Sequence, residues 1–419
     1  MLGRRDAPPA LRGFMLRVYR SCFALILCGV AIALGGCGAR VVRDPVPANL
    51  VDVAAIPGLS HARFWGDEAP NDIVAFVQTH MPAAKRMAVS RSVLGERPVV
   101  EYLALSSGAG DGAFGAGLLA GWTKRGDRPK FEVVTGVSAG ALSAPFVFLG
   151  PEYDRVLLEI WTKYDTAALA TPQVLAGLFG AESFADSTPL RKLIAKYVTR
   201  SLLDRIAKEY RSGRLLLVGT TNLDAQRPVI WNMGEIAASP HAYAVELFQQ
   251  VVLASASIPG AFPPVHIKVR VGDRILEEMH VDGGPTRQVF VAPANLSLRT
   301  FDKLYPTPPI RRIYVVKNGK LNPEYEAVQA NTLAISARSL FTITKSQSIG
   351  DINRIFASAE RDGAEFRLAA IPSDFNVKPT EIFDPVYMKQ LYEVGYQMGR
   401  MGNPWMRRPP EDIEALAAR

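Results

Sequence analysis

The segment from residue 98 to residue 150 twice repeats one order of elements: an apolar run, a turn rich in small residues, and a helical pattern. The apolar runs at 98–106 (PVVEYLALS) and 131–138 (FEVVTGVS) contain β-branched and aromatic residues, as is typical of strands buried on both faces. Strands that alternate with helices predict an α/β fold with a mainly parallel sheet. The predicted helices cover 112–126 and 139–150, and further predicted strands cover 214–223, 275–284 and 311–318.

The turn after the second strand is a candidate nucleophile site. It reads Gly136-Val-Ser138-Ala-Gly140, which matches G-x-S-x-G between a strand and a helix. The sharp turn requires small residues two positions before and after the serine, and both are glycine. It also exposes the serine hydroxyl at a helix N-terminus, which favours developing negative charge. A chance glycine turn is the alternative, but the flanking strand and helix favour the nucleophile.

The turn after the first strand, Ser107-Gly-Ala-Gly-Asp111-Gly112, has two interpretations. As a dinucleotide-binding turn it requires an acidic residue at the end of the next strand, whereas Glu132 stands at that strand's start. As an oxyanion hole it would point backbone N–H groups at a carbonyl oxygen attacked by Ser138. The second interpretation is favoured.

A third motif, Asp282-Gly283-Gly284, closes the predicted strand 275–284. Taken alone, it is better explained as an ordinary Asp-Gly turn. His280 lies two residues earlier, which places both side chains on one face of a strand. His280 is interpreted mainly as a packing or hydrogen-bonding residue, with a third catalytic member as the alternative.

In this order and these contexts, the three motifs resemble the patatin-like phospholipase family. The stretches Tyr102–Ser106 and Ala254–Pro264 add to the resemblance, which covers about 98–290 and extends to about 370. It implies a patatin-like three-layer α/β/α hydrolase with a mainly parallel central sheet. Ser138 would be the nucleophile and Asp282 its base, without a cofactor. The implied oxyanion-hole residues are Gly108, Ala109, Gly110 and Asp111.

The oxyanion loop departs from the family pattern G-G-G-x-R-G, because Ser107, Ala109 and Asp111 replace two glycines and the arginine. A carboxylate would repel a developing oxyanion, so we expect the Asp111 side chain to point away. The departure motivates a second hypothesis, a non-catalytic envelope binding or scaffold protein on a retained hydrolase fold. A third hypothesis is a Ser-His-Asp esterase that uses His280.

The N-terminal residues 1–36 have the pattern of a secretory signal, with a 12-residue apolar run at 23–34 after Arg17 and Arg20. The run is short for a membrane span, which needs ~20 apolar residues. Leu34-Gly-Gly-Cys37 resembles a bacterial lipobox, which implies lipidation of Cys37. The residue after Cys37 is glycine, which by the same resemblance favours the outer membrane. A plain signal peptide is the alternative, and Met15 is an alternative start.

Composition excludes several other classes of protein. The three cysteines are Cys22, Cys28 and Cys37, so disulfides, cysteine zinc sites and a cysteine nucleophile are excluded after residue 37. The five histidines form no H-x-x-x-H pair, so no metal is expected. Without residues 1–36, the net charge of +8 falls to +4, and no basic run with interleaved aromatics remains. Nucleic acid is therefore not expected as a partner.

The predicted organisation has four parts. The signal peptide at 1–36 is followed by a tether and N-terminal segment at 37–97, the hydrolase domain at 98–372, and a helical extension with a polar tail at 373–419. The helix of the extension begins at an Asp384-Pro385 cap and is predicted to dock on the core, with a membrane-lying helix as the alternative. Asp224 and Trp231 are interpreted as structural. The expected substrates are phospholipids or lysophospholipids, cleaved at carboxylic esters.

Overall fold

The structure is a computed structural model. The predicted signal peptide, Cys37 and most of the segment 71–96 lie outside the described residues. The structure describes residues 43–59, 61–70, 73, 79, 97–172, 182–293, 295–305, 307–402 and 404–410.

A nine-stranded mixed sheet forms the centre of the described fold, in the order β1-β7-β6-β3-β2-β10-β11, with β9 paired to β6 and β8. The run β6-β3-β2-β10-β11 is parallel throughout, and the remaining pairs are antiparallel. Two short strands, β4 and β5, form a separate two-stranded antiparallel sheet. The strands are β1 Arg63–Trp65, β2 Val99–Leu105, β3 Val133–Val137, β4 Thr171–Pro172, β5 Ala185–Asp186, β6 Leu215–Asn222, β7 Arg227–Asn232, β8 Val265–Val271, β9 Arg274–Asp282, β10 Ile310–Lys317 and β11 Glu365–Ala370.

Helices cover both faces of the sheet. Among the described helices, none has an apolar stretch long enough to cross a bilayer. The helices are α1 Gly112–Arg125, α2 Ala139–Leu149, α3 Asp154–Lys163, α4 Thr166–Leu169, α5 Thr188–Tyr197, α6 Arg200–Arg211, α7 Met233–Ala238, α8 Ala244–Ser255, α9 Thr332–Asp362 and α10 Pro385–Met401.

The side chains of β2 show how the sheet separates two cores. Leu103 and Leu105 join the larger core with helices α1 and α2, whereas Val100, Tyr102 and Ala104 join a smaller core with α9. This alternation follows from the two-residue period of a strand. The three-layer α/β/α architecture with a mostly parallel sheet is therefore confirmed, and each strand and helix predicted from the sequence is present within one or two residues.

Residues 43–59 differ from the predicted tether. Val46, Ile56 and Leu59 are buried, and Arg43 donates to Asp224 at 3.0 Å. The backbone of Ala55 pairs with Arg270 of β8. Burial of apolar side chains offsets the entropy of ordering this segment, so it is bound to the antiparallel end of the sheet.

The C-terminal helix α10 docks on α1, as predicted. Its Gly395 and Gly399 lie against the backbone of Phe114 and Leu118 in α1. Gly117 and Gly121 of α1 lie in the same way against the backbone of α10, so each helix has glycines four residues apart at the contact. A Cβ at Gly117 would lie 2.0 Å from the carbonyl oxygen of Tyr392. Because both surfaces lack side chains there, the two backbones approach directly.

Candidate active site

Ser138 lies on the sharp turn between β3 and α2. Its backbone has φ 55° and ψ −118°, a conformation that non-glycine residues adopt only when their surroundings hold them. A Cβ at Gly136 would lie 2.5 Å from the carbonyl oxygen of Gly140, and one at Gly140 would lie 2.2 Å from that of Leu105. Both flanking glycines are therefore required by space, which is the geometry of a nucleophile elbow.

Asp282 reaches Ser138 because two strands share one edge of β6. Strand β3 pairs with this edge as far as Val137, which lies opposite Gly219. Strand β9 takes over at the next position, where Asp282 lies opposite Thr220. The last residue of β9 and the residue that follows β3 are therefore neighbours, although 144 positions separate them in the sequence.

The Asp282 carboxylate is buried and has few partners. Its Oδ1 accepts a hydrogen bond from the Gly284 N–H at 2.7 Å, whereas Oδ2 is buried without a hydrogen-bond partner among the described residues. Burial raises the pKa of Asp282 to about 6, against the opposing effects of the Ser138 hydroxyl and the Gly284 N–H. A carboxylate of this kind can accept a proton near neutral pH.

The backbone of both residues is fixed by the segment Ala254–Pro264. The Ser138 N–H donates to Ser255 Oγ at 3.0 Å, and that hydroxyl donates in turn to the carbonyl oxygen of Gly219 at 2.7 Å. The Asp282 N–H donates to the carbonyl oxygen of Ser257 at 2.9 Å. The two serines therefore hold the strand ends in register.

The loop after β2 lies beside Ser138, because Ala109 and Ser138 line the same pocket. The backbone N–H groups of Gly108, Ala109 and Gly110 donate no hydrogen bond within the described part of the chain. The N–H of Asp111 instead donates to the carbonyl oxygen of Gly108 at 2.9 Å. Of the four predicted oxyanion donors, Asp111 is thus engaged within the loop, and the other three are available.

Neighbours that the sequence motifs did not reveal support this loop. Gln288 accepts from the Ser107 hydroxyl and N–H, and its side chain donates to the carbonyl oxygen of Gly284 at 3.0 Å. Asn318 donates to the carbonyl oxygen of Ser106 at 2.9 Å. Each residue ties the loop to a distant part of the chain, and neither carries a local sequence signal that could have identified it.

The Asp111 side chain is held by the C-terminal helix. The Tyr387 hydroxyl donates to Asp111 Oδ1 at 2.6 Å. Burial raises the pKa of Asp111 to about 6, opposed by this hydrogen bond and by the charge of Lys317. Burial also lowers the pKa of Lys317 to about 8, which Asp111 opposes. A cation from β10 thus compensates the carboxylate that stands in place of the family arginine.

His280 belongs to a separate buried network. Glu278 is ionised and can only accept, so the Nε2–H of His280 donates to it at 3.1 Å, and Glu278 also pairs with Arg63. Burial lowers the pKa of His280 and so favours the neutral ring, in which Nδ1 accepts from the Thr220 hydroxyl at 3.0 Å. The oxygen of that hydroxyl accepts from the Trp231 indole N–H at 2.8 Å. Both ring nitrogens of His280 are engaged with Thr220 and Glu278, so His280 is a hydrogen-bonding residue and does not form a Ser-His-Asp arrangement with Ser138.

An apolar pocket extends from Ser138 between helices α2, α3, α5 and α8. No group of side chains suited to hold a metal ion is found within the described ranges. The wall is almost entirely aliphatic and aromatic, and it includes Leu142, Phe146, Ile160, Trp161, Ile194, Val252, Phe262 and Met388.

Comparison with known proteins identifies the central part of this fold. Residues 103–295, a little under half of the chain, match the family described as Patatin-like phospholipase. This region is therefore a patatin-like phospholipase domain, and the family is one of lipid acyl hydrolases.

Among solved structures, the chain is similar to the crystal structure of VipD from Legionella pneumophila, at 12% identity and a TM-score of 0.35. The similarity covers 72% of this chain and 66% of that one, just under two thirds of its length. A search of curated proteins found no match.

Proposed function

We propose that this protein is a serine acyl hydrolase that works through a Ser138–Asp282 dyad. The observation that carries the proposal is the register on β6, which sets a buried carboxylate without a cation beside the elbow serine. The free N–H groups of the glycine loop supply the remaining element that acyl transfer requires.

The reaction would proceed in two halves. Asp282 accepts the hydroxyl proton while Ser138 Oγ attacks the ester carbonyl carbon, and the loop N–H groups stabilise the oxyanion. Collapse of the tetrahedral intermediate breaks the ester C–O bond, and the alcohol leaves with the proton that Asp282 returns. Water then attacks the acyl-enzyme, with Asp282 again as base, and releases the carboxylic acid and free Ser138.

The substrate class follows from the pocket. A wall of aliphatic and aromatic side chains beside Ser138 suits a long hydrocarbon, because each buried CH₂ contributes about 0.8 kcal/mol. We therefore propose acyl esters of phospholipids or lysophospholipids, with the acyl chain in the pocket and the head group outside.

The test compares Ser138→Ala and Asp282→Asn with the control variants Ser201→Ala and Asp127→Asn, at exposed positions. Hydrolysis of p-nitrophenyl esters should be lost in the first pair and unchanged in the second. Products from a mixed lipid extract, identified by mass, would then define the ester cleaved. Failure of the wild-type protein to react at Ser138 with a fluorophosphonate probe would favour the non-catalytic scaffold.

We also propose that the mature protein is anchored at Cys37 in the outer membrane of a bacterium. The support is the sequence Leu34-Gly-Gly-Cys37 directly after an apolar run. Labelling with a radioactive fatty acid and membrane fractionation test it. Cys37→Ser should abolish the label and release the protein from the membrane fraction, whereas Cys28→Ser should change neither.

A further inference from the structure

The pocket beside Ser138 follows one face of helix α2. Its lining includes Ser138, Leu142 and Phe146, which are spaced at successive helical turns. At 1.5 Å per residue, Phe146 lies ~12 Å along the helix axis from the serine. The pocket therefore has a proximal end at the nucleophile and a distal end near Phe146.

Two tyrosines stand at the distal end. The ring of Tyr197, the last residue of α5, contacts the ring of Phe146 edge to face, with a centroid distance of 6.2 Å. Tyr164, which follows α3, places its hydroxyl 3.0 Å from the hydroxyl of Tyr197. Both tyrosines line the pocket, and the pair bridges α3 and α5 across it.

Charged residues on the outside fix the hydroxyls of the pair. Lys196 Nζ donates to the Tyr164 hydroxyl at 2.9 Å and to the Tyr197 hydroxyl at 3.1 Å. The same ammonium pairs with Glu159 at 3.1 Å, and Glu159 also pairs with Lys163 at 3.2 Å. Since Lys196 and Lys163 are exposed, the hydroxyls face the solvent side and the rings are left to close the apolar space.

We propose that Tyr164 and Tyr197 form a stop that sets the length of acyl chain accepted by the pocket. This inference rests on the proposed function, because it assigns the pocket to the acyl group of the ester attacked by Ser138. A chain that ends before the rings is buried completely. A longer acyl chain either displaces the tyrosines from their hydrogen bonds with Lys196 or folds back on itself at its end. Both alternatives weaken the binding of the long chain.

The tyrosines are specificity-determining residues in this scheme and take no part in the chemistry. Removing one ring should therefore change the dependence of kcat/KM on chain length, with a much larger effect on long esters than on short ones. A purely structural role would instead lower activity toward all chain lengths by the same factor.

The experiment measures kcat/KM for p-nitrophenyl butanoate, decanoate and hexadecanoate. We expect the hexadecanoate-to-butanoate ratio to rise at least tenfold in Tyr197→Ala and in Tyr164→Ala, through a lower KM for the long ester. Tyr197→Phe is the matched control, since it keeps the ring and removes only the hydroxyl, and it should shift the ratio much less. An unchanged ratio in both alanine variants would overturn the stop.

A second measurement separates this inference from the proposed function. Fatty acids of the same three lengths are titrated against a bound fluorescent fatty acid in Ser138→Ala, with and without Tyr197→Ala. A shift of the preferred length toward hexadecanoate supports the stop even if the wild-type protein hydrolyses no ester. No binding of any fatty acid, or the same preferred length in both proteins, would contradict it.

Discussion

Glu278 and Asp282 are two buried carboxylates four residues apart on strand β9, and their pKa values are shifted in opposite directions. Burial raises the pKa of both, but at Glu278 the hydrogen bond from His280 and the charge of Arg63 outweigh burial and bring the pKa to about 2. At Asp282 no cation among the residues that the structure describes compensates burial, and the pKa rises to about 6. One strand therefore carries a permanently ionised structural anion and a carboxylate able to exchange a proton near neutral pH.

The difference shows that burial alone does not make a catalytic base. Both side chains are almost inaccessible to solvent, yet the proton affinity of Glu278 is too low for proton transfer at neutral pH. What distinguishes Asp282 is the absence of a cationic partner and the presence of the Ser138 hydroxyl.

The largest expected effect is on catalysis. Asp282→Asn should lower kcat/KM by at least about 1,000-fold, because the amide cannot accept the Ser138 proton. The kcat/KM of Glu278→Gln, calculated per folded molecule, should stay within a few-fold of the wild-type value. Steady-state hydrolysis of a p-nitrophenyl ester checks both, and equal losses in the two variants would abolish the distinction.

The next effect is on stability. Glu278→Gln leaves the Arg63 guanidinium buried without its anion, which should cost about 3–5 kcal/mol in the free energy of unfolding. Urea denaturation measures the loss. The double variant Arg63→Met/Glu278→Gln should regain part of it, and a double variant no more stable than the single one would argue against the ion pair as the cause.

Asp282→Asn should act on stability in the opposite direction. The folded-state pKa of Asp282, about 6, lies above its ordinary value of 3.8, so ionisation costs folding energy that grows from about pH 4 to pH 6 and persists above. At pH 8 the amide should therefore stabilise the fold by about 1–3 kcal/mol. Urea denaturation at pH 8 and at pH 4 tests the sign, because the advantage should vanish at the lower pH.

The smallest expected effect concerns His280. Activity should rise with pH through a midpoint near 6 as Asp282 loses its proton, and His280→Gln should leave that midpoint in place. The variant weakens the contacts with Thr220 and Glu278, so only a modest loss of stability is expected. The measurement is kcat/KM as a function of pH in wild type and His280→Gln. A displaced midpoint in the variant would indicate that His280 takes part in the proton transfer.

The local motifs predicted the part of the site that depends on local conformation. At Gly136, Ser138 and Gly140, one sharp turn determines both the residue types and their spacing, so the geometry of the turn can be predicted from the motif. The strands that carry these residues were equally predictable, because a strand buried on both faces is a continuous apolar run in the sequence.

The supporting contacts were not predictable, because they join residues far apart in the chain. Gln288 meets Ser107 and Tyr387 meets Asp111 only once the sheet and the C-terminal helix are in place. Polar residues of these types occur throughout any surface, and no spacing rule singles them out. The binding of residues 43–59 escaped prediction for the same reason, since scattered apolar residues in a proline-containing segment have no periodicity.

The glycine contact between α1 and α10 has a consequence for the timing of folding during synthesis. Helix α1 begins at the glycine-rich loop after β2, yet its glycine face and Asp111 are covered by residues 385–401, which are synthesised much later. Helix α10 must therefore have left the ribosome before that loop acquires its final support. A growing polypeptide, or one cut short before Pro385, should carry Ser138 beside an unsupported loop.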